Sequence, residues 1–391
     1  MTLQALVSSH VFDGDDLREG GAVLIEGERI AGLVPPGGIP AGAARRDLGP
    51  GILAPGFVDL QVNGGGGVML NDAPAAATLA RIARVHAGLG ATTILPTLIT
   101  DTPSKAAQAV AAVAAARRDG VPGIAGLHLE GPHLAPARKG AHDAALIRPM
   151  TDADLAFLLD AKRRTGTLLV TVAPEAVTPA QVAALAGAGV LVALGHSDCT
   201  LAAAAACVAA GARLVTHLFN AMSQLGSREP GLVGAALTEG RLSAGLIADG
   251  IHVHPASIRA ALAAKRGPGQ VFLVSDAMAT AGSDLAAFAL GGRTVTRRHG
   301  RLTLQDGTLA GADLDLSRAI RCLTGACGVP PAAALAMATS VPARAAGLGD
   351  TAGTLAAGRR ADLVHLTPGL RLAAVWQAGQ EIALSPPCGE A

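Results

Sequence analysis

Apolar and polar positions follow two rhythms along this chain. Eight short apolar runs read as strands: FVDLQV (57–62), TTILPT (92–97), IAGLHLE (124–130), TLLVTVA (167–173), VLVALGH (190–196), RLVTH (213–217), SAGLIAD (243–249) and VFLVSD (271–276). Most are separated by alanine-rich stretches of helical period, such as PAAATLARIARVHAGLG and DADLAFLLDAKRRTG. Strand–helix alternation predicts a parallel sheet, and eight repeats suit a closed (β/α)8 barrel. The runs lack a polar face, as strands held between a barrel interior and outer helices require. Residues 1–55 follow a hairpin rhythm instead, with GAVLIEGERIAGLV bending at Glu26-Gly27; GTLAAGRRADLVHL and AAVWQAGQEI, near 353–383, look the same. The expected architecture is α/β: a TIM-like barrel over 56–348 and a small β-sandwich built from both chain termini, 1–55 and 349–391. The segment 291–312 interrupts the alternation and reads as a β-hairpin turning at Asp306-Gly307, placed to cover the rim.

Composition narrows this picture. Half of the 391 residues are hydrophobic and 16% are charged, so a large core is available; with six Phe, one Trp and no Tyr it must be packed from Ala, Leu and Val. A net charge of +1 without a long basic run argues against a nucleic-acid partner. The pairs Arg297-Arg298 and Arg359-Arg360 read as solvated faces. Five scattered cysteines without a CxxC pair read as reduced thiols of a cytoplasmic protein. The N-terminus lacks a signal-peptide pattern, and charges break the alanine runs before bilayer length, so no membrane partner is expected.

Polar residues recur where the runs end: Gln61 and Asn63 after the first, Glu130, His196, His217, Asp249 and Asp276 after later ones. A barrel brings such ends to one rim, where active sites of this fold are built. Glu130, His196 and His217 form a two-histidine, one-carboxylate set typical of catalytic zinc with an open position; nearby Cys199 reads as the start of a helix. Such a metal lowers the pKa of its bound water and polarises a substrate oxygen. Asp276 is the candidate proton shuttle; the alternative is a helix N-cap. His142, in KGAHD, is as readily structural as an oxyanion donor. His10, His86, His133, His254, His299 and His365 read as surface or supporting residues, with His133 and His254 the candidates to support the site.

The words APGFVDLQVNGGGG, GATTILPTLIT, GLHLEGPHL, KGAH, LGHSDCT, THLFNAM, SREPGLVG, IADGIHVHP, LVSDAMATAG and GTLAGA run in order through nearly the whole chain. Together they resemble the N-acetylglucosamine-6-phosphate deacetylase family of the amidohydrolase superfamily; the closing AGTLAAGRRADLV is shared with the wider superfamily. The resemblance implies hydrolysis of the acetamide of N-acetylglucosamine 6-phosphate to glucosamine 6-phosphate and acetate. It matches Glu130, His196 and His217 to metal ligands and Asp276 to the catalytic acid/base. It matches Ala141, His142, Asn220, Ala221, Arg228, His252 and the backbone of Leu309, Ala310 and Gly311 to substrate contacts. Arg228 and His252 would bind the phosphate, partly from the neighbouring subunit of a homodimer. One departure stands out. Gln61 and Asn63 occupy positions where many amidohydrolases carry His-x-His, and neutral amides are poor transition-metal ligands. One divalent ion per subunit is therefore expected, zinc first, with iron, manganese or cobalt tolerated. Two other readings stay open: another amidohydrolase acting on N-acyl amino acids or cyclic amides, and a non-catalytic scaffold on the same barrel.

Overall fold

The computed structural model describes residues 3–389. Eight parallel strands form one sheet in sequential order: Val58–Val62, Thr93–Ile99, Gly126–Glu130, Thr167–Val172, Leu191–Leu194, Leu214–Val215, Ser243–Leu246 and Val271–Leu273. The Val62–Ala277 bridge and the hydrogen bond from Asp276 N to Gln61 O (3.0 Å) bring the last strand back to the first, leaving a nearly closed barrel. Every strand expected from the apolar runs is present. The later ones stop short of the polar residue that ends each run, and at three of these residues the backbone turns left-handed. His196, His217 and Asp276 have φ of 48°, 30° and 51°.

The helices begin where short polar side chains can accept the unpaired N–H groups of a first turn. Thr102, Thr178 and Thr200 cap helices Pro103–Arg118, Pro179–Gly187 and Leu201–Ala210. Thr151 and Asp154 cap helix Asp152–Thr165 reciprocally, the Asp154 side chain receiving the Thr151 N–H. The main core joins barrel strands and helices through Ala, Leu and Val, with Phe12 and Phe57 among its few aromatics.

A second, eight-stranded sheet pairs strands from 3–55 with strands from 363–382. Ile52–Pro55 lies parallel to Leu3–Phe12 on one side and antiparallel to Leu363–Leu366 on the other. The tight turn between Leu17–Glu26 and Arg29–Val34 falls at Gly27-Glu28, one residue beyond the expected bend, where Gly27 takes φ 58°. The segment expected as a single hairpin is a four-stranded antiparallel sheet, Ala287–Leu290, Arg293–Arg298, Arg301–Thr303 and Leu309–Ala312. Two of its turns, Gly291-Gly292 and His299-Gly300, have positive φ at both central residues, which suits two-residue hairpin loops. No helix among the described residues is long and apolar enough to cross a membrane.

Candidate active site

The C-terminal ends of the barrel strands open into a cavity of about 520 Å³. Its wall includes Asn63, Glu130, His142, His196, His217, His252 and Asp276, together with Ala141, Asn220, Ala221, Leu309 and Gly311. Leu290, Gly307 and Thr308 also line it, so the four-stranded insertion does cover the rim. Of the residues expected to touch substrate, Ala310 is fully buried behind the wall. Arg228 lies in an exposed loop and is not part of this chain's own cavity wall.

Glu130, His196 and His217 meet at the centre. Glu130 Oε1 lies 3.1 Å from both His196 Nε2 and His217 Nε2, and the two Nε2 atoms are 3.0 Å apart. In the neutral ring His196 Nδ1–H donates to Arg138 O at 2.8 Å, which places the lone pair of that form on Nε2. A carboxylate oxygen and two ring nitrogens so placed repel unless positive charge sits among them. His217 carries the sign of this demand. Burial pulls its pKa down, but the Glu130 carboxylate outweighs that and raises it. Burial pushes the Glu130 carboxyl up, yet hydrogen bonds and charge from the two histidines hold it well below the usual carboxylate range. His217 Nδ1 is buried with no hydrogen-bond partner among the described residues. These donors fit a divalent metal, whose nitrogen and oxygen ligands sit at about 2.0–2.2 Å. Glu130, His142 and His196 also offer ligand atoms within 4.8 Å of one another, but the tighter trio is the one completed by His217.

Asp276 faces this trio across an amide bridge. Gln61 Nε2 donates both to Glu130 Oε2 (3.2 Å) and to Asp276 Oδ1 (3.1 Å), and Asn63 Nδ2 donates to Asp276 Oδ1 at 2.7 Å. Oδ2 makes no protein hydrogen bond among the described residues. Burial and repulsion from Glu130 push the Asp276 pKa up to about 6, against the pull of His217 and Asn63. Asp276 caps no helix; it sits at the barrel rim in a left-handed conformation that a non-glycine residue adopts only when its surroundings enforce it.

His142 Nδ1 accepts from the Thr100 hydroxyl (2.7 Å) and lies 3.3 Å from the Thr100 N–H. An N–H neighbour can only donate, so the ring proton resides on Nε2. Burial, then the charge of His196, holds the ring neutral, its pKa well below that of a free histidine. His252 is clamped by Asp249: Nδ1 to Oδ2 at 2.6 Å, while Asp249 Oδ1 accepts the N–H groups of Ile251 and His252 at 2.8 Å each.

His133 and His254, expected to support the site, do not. His133 bonds to Arg148 O and lines a separate cavity, and exposed His254 caps helix Pro255–Ala264. The sequence reading passed over His128 and Asp59. His128, buried beneath Glu130, bonds to Thr97 and Thr171, and burial lowers its pKa to about 4. Asp59 is fully buried and accepts the N–H groups of Gln61 and Ser275, joining the first strand to the end of the last; burial raises its pKa to about 7. Its position two residues before Gln61, on the same face of a strand, was the available signal.

Comparison with known proteins agrees with this geometry. The model of the amidohydrolase family matches residues 52–382. The chain is 42% identical over 336 residues to an N-acetylgalactosamine-6-phosphate deacetylase of Shewanella sp. (strain ANA-3), covering 85% of this chain and 84% of that protein. Its structure is similar to that of N-acetylglucosamine-6-phosphate deacetylase from Pasteurella multocida, with a TM-score of 0.93, 31% identity, and 97% and 100% of the two chains covered. A mutant of the Mycobacterium smegmatis N-acetyl-D-glucosamine-6-phosphate deacetylase, in complex with N-acetyl-D-glucosamine-6-phosphate, matches with a TM-score of 0.89, 36% identity, and 98% and 100% of the two chains covered. The chain belongs to the amidohydrolase family and is a hydrolytic enzyme.

Proposed function

We propose that this enzyme removes the acetyl group from N-acetylated amino-sugar 6-phosphates, releasing acetate and the free amine from N-acetylglucosamine 6-phosphate. The observation that carries the reading is the meeting of Glu130, His196 and His217 opposite Asp276, on one rim of a sugar-sized cavity. Glu130, His196 and His217 would hold one divalent ion, zinc first, with iron, manganese or cobalt as alternatives. When bound, that ion supplies Lewis acidity and makes water easier to deprotonate.

The chain's own groups do the rest. Asp276 takes the proton from the attacking water through Oδ2 and delivers it to the departing nitrogen. A pKa above the ordinary carboxylate range suits both transfers. His142 Nε2–H stabilises the carbonyl oxygen as it gains negative charge. Asn220, Ala221 and the backbone at Leu309 and Gly311 hold the sugar ring. His252, fixed by Asp249, serves the phosphate. Arg228 serves it from a neighbouring subunit in a homodimer: its loop is solvent-facing in the single chain, with Leu225 60% exposed beside it. Five unpaired cysteines suit a reducing compartment, and we place the enzyme in the cytoplasm.

The 42% identity to an N-acetylgalactosamine-6-phosphate deacetylase favours a second reading of the sugar, the galacto epimer. Acetate release from both epimers, with and without chelator and re-added metal, tests both readings. Faster release from one epimer identifies the sugar. Absence of release from either, under any metal, overturns the deacetylase proposal.

A further inference from the structure

At the opposite end of the barrel, where strands Thr93–Ile99, Gly126–Glu130 and Thr167–Val172 begin, a cavity of about 450 Å³ lies between barrel and terminal sheet. Four arginines from three separate places line it: Arg29 at the start of a sheet strand, Arg117 at the end of helix Pro103–Arg118, and Arg359 and Arg360 on the approach to strand Leu363–Leu366. The acidic group on its wall is Asp350.

The partners of these arginines decide what the cavity can do. Arg29 Nη1 donates to Gly358 O at 2.7 Å, and Arg117 Nη1 donates to Ala125 O. Neutral carbonyls position a guanidinium without cancelling its charge. Arg359 Nη2 stands 3.5 Å from Asp350, whose side chain is fully exposed, and Arg359 Nη1 is buried with no partner among the described residues. Arg360 has a close carboxylate partner in Asp362. Each guanidinium offers five donors, so most of the donor capacity around this cavity is unused. Holding like charges together costs energy that a bound anion relieves.

We propose that this cavity binds a small molecule carrying two or more anionic groups, phosphates or carboxylates, at a site separate from the candidate active site. The arginine fork suits both groups. The cavity volume lies in the range of small-ligand sites, and a net charge of +1 on the whole chain does not suit an extended nucleic-acid surface. Because its walls come from both the terminal sheet and the barrel, an occupant would tie the two together and raise the melting temperature.

Calorimetric titration of the metal-loaded enzyme with fructose 1,6-bisphosphate and, separately, with succinate tests this. Saturable, salt-sensitive binding of one or both is expected, and the stronger binder identifies the anionic group. The double variant Arg29→Gln/Arg117→Gln changes two exposed side chains. It should weaken binding roughly tenfold or more per guanidinium while leaving acetate release unchanged. Binding should survive in His252→Ala, which alters only the rim cavity. Failure of both probes to bind, or binding lost in His252→Ala and kept in the double variant, would overturn the assignment.

Discussion

Replacing Asn63 with leucine isolates one interaction that sets the proton affinity of Asp276. Among the described residues the Asn63 side chain makes a single hydrogen bond, from Nδ2 to Asp276 Oδ1 at 2.7 Å, and its own Oδ1 has no partner. Leucine keeps the branched skeleton of asparagine without its donor, so the change opens no cavity, and its bulkier methyl groups face the rim cavity that Asn63 lines. Gln61 still donates to the same oxygen at 3.1 Å. A hydrogen bond to a charged group contributes about 1.5–3 kcal/mol, which corresponds to roughly one to two pKa units. The bond favours the carboxylate form, so its loss raises the pKa of Asp276 above its present, already elevated value. The reaction starts from the carboxylate, so activity falls as pH drops through this pKa. The acid limb of kcat/KM against pH should therefore move upward by roughly one to two units in Asn63→Leu, with the alkaline plateau largely kept. The assay is acetate release across pH 5 to 9 on metal-loaded protein. A limb that stays in place, or moves toward acid, would refute the assignment of Asp276 as the titrating base.

Three further outcomes follow from the same geometry. Asp276→Asn keeps an oxygen for the Gln61 and Asn63 amides, so the protein should fold and retain its metal while turnover falls about 10²–10⁴-fold; an unchanged rate removes the residue from the mechanism. Elemental analysis should find about one divalent ion per chain, and less in Glu130→Gln; two tightly held ions would contradict the use of Gln61 and Asn63 as hydrogen-bond donors. Arg228→Ala should raise KM roughly tenfold for phosphorylated substrate and leave the unphosphorylated sugar unaffected; an equal effect on both would point to N-acyl amino acids or cyclic amides instead.

The parts of this site that could be read in sequence are those fixed by the barrel itself. Once apolar runs alternate with helices, residues ending different runs must share a rim, and Glu130, His196, His217 and Asp276 do. Lateral contacts depend on loop paths and stagger between strands, which no periodicity encodes. The clamp of Asp249 on His252, the Thr100 bond that orients His142, and the Arg138 carbonyl that sets the His196 tautomer are of this kind. Strand lengths were overstated for a related reason. Residues that turn into a left-handed conformation still look like the ends of apolar runs. Arg359-Arg360 reads as a solvated pair because its companions, Arg29 and Arg117, arrive from hundreds of residues away.

The strand Ile52–Pro55 has one neighbour made at once and another, Leu363–Leu366, that follows about 300 residues later. At a synthesis rate of roughly 5–20 residues per second, that edge waits some tens of seconds on the ribosome before it can be closed. The terminal sheet is therefore the last piece to be completed as the polypeptide emerges, and chaperone occupancy during translation should concentrate on it.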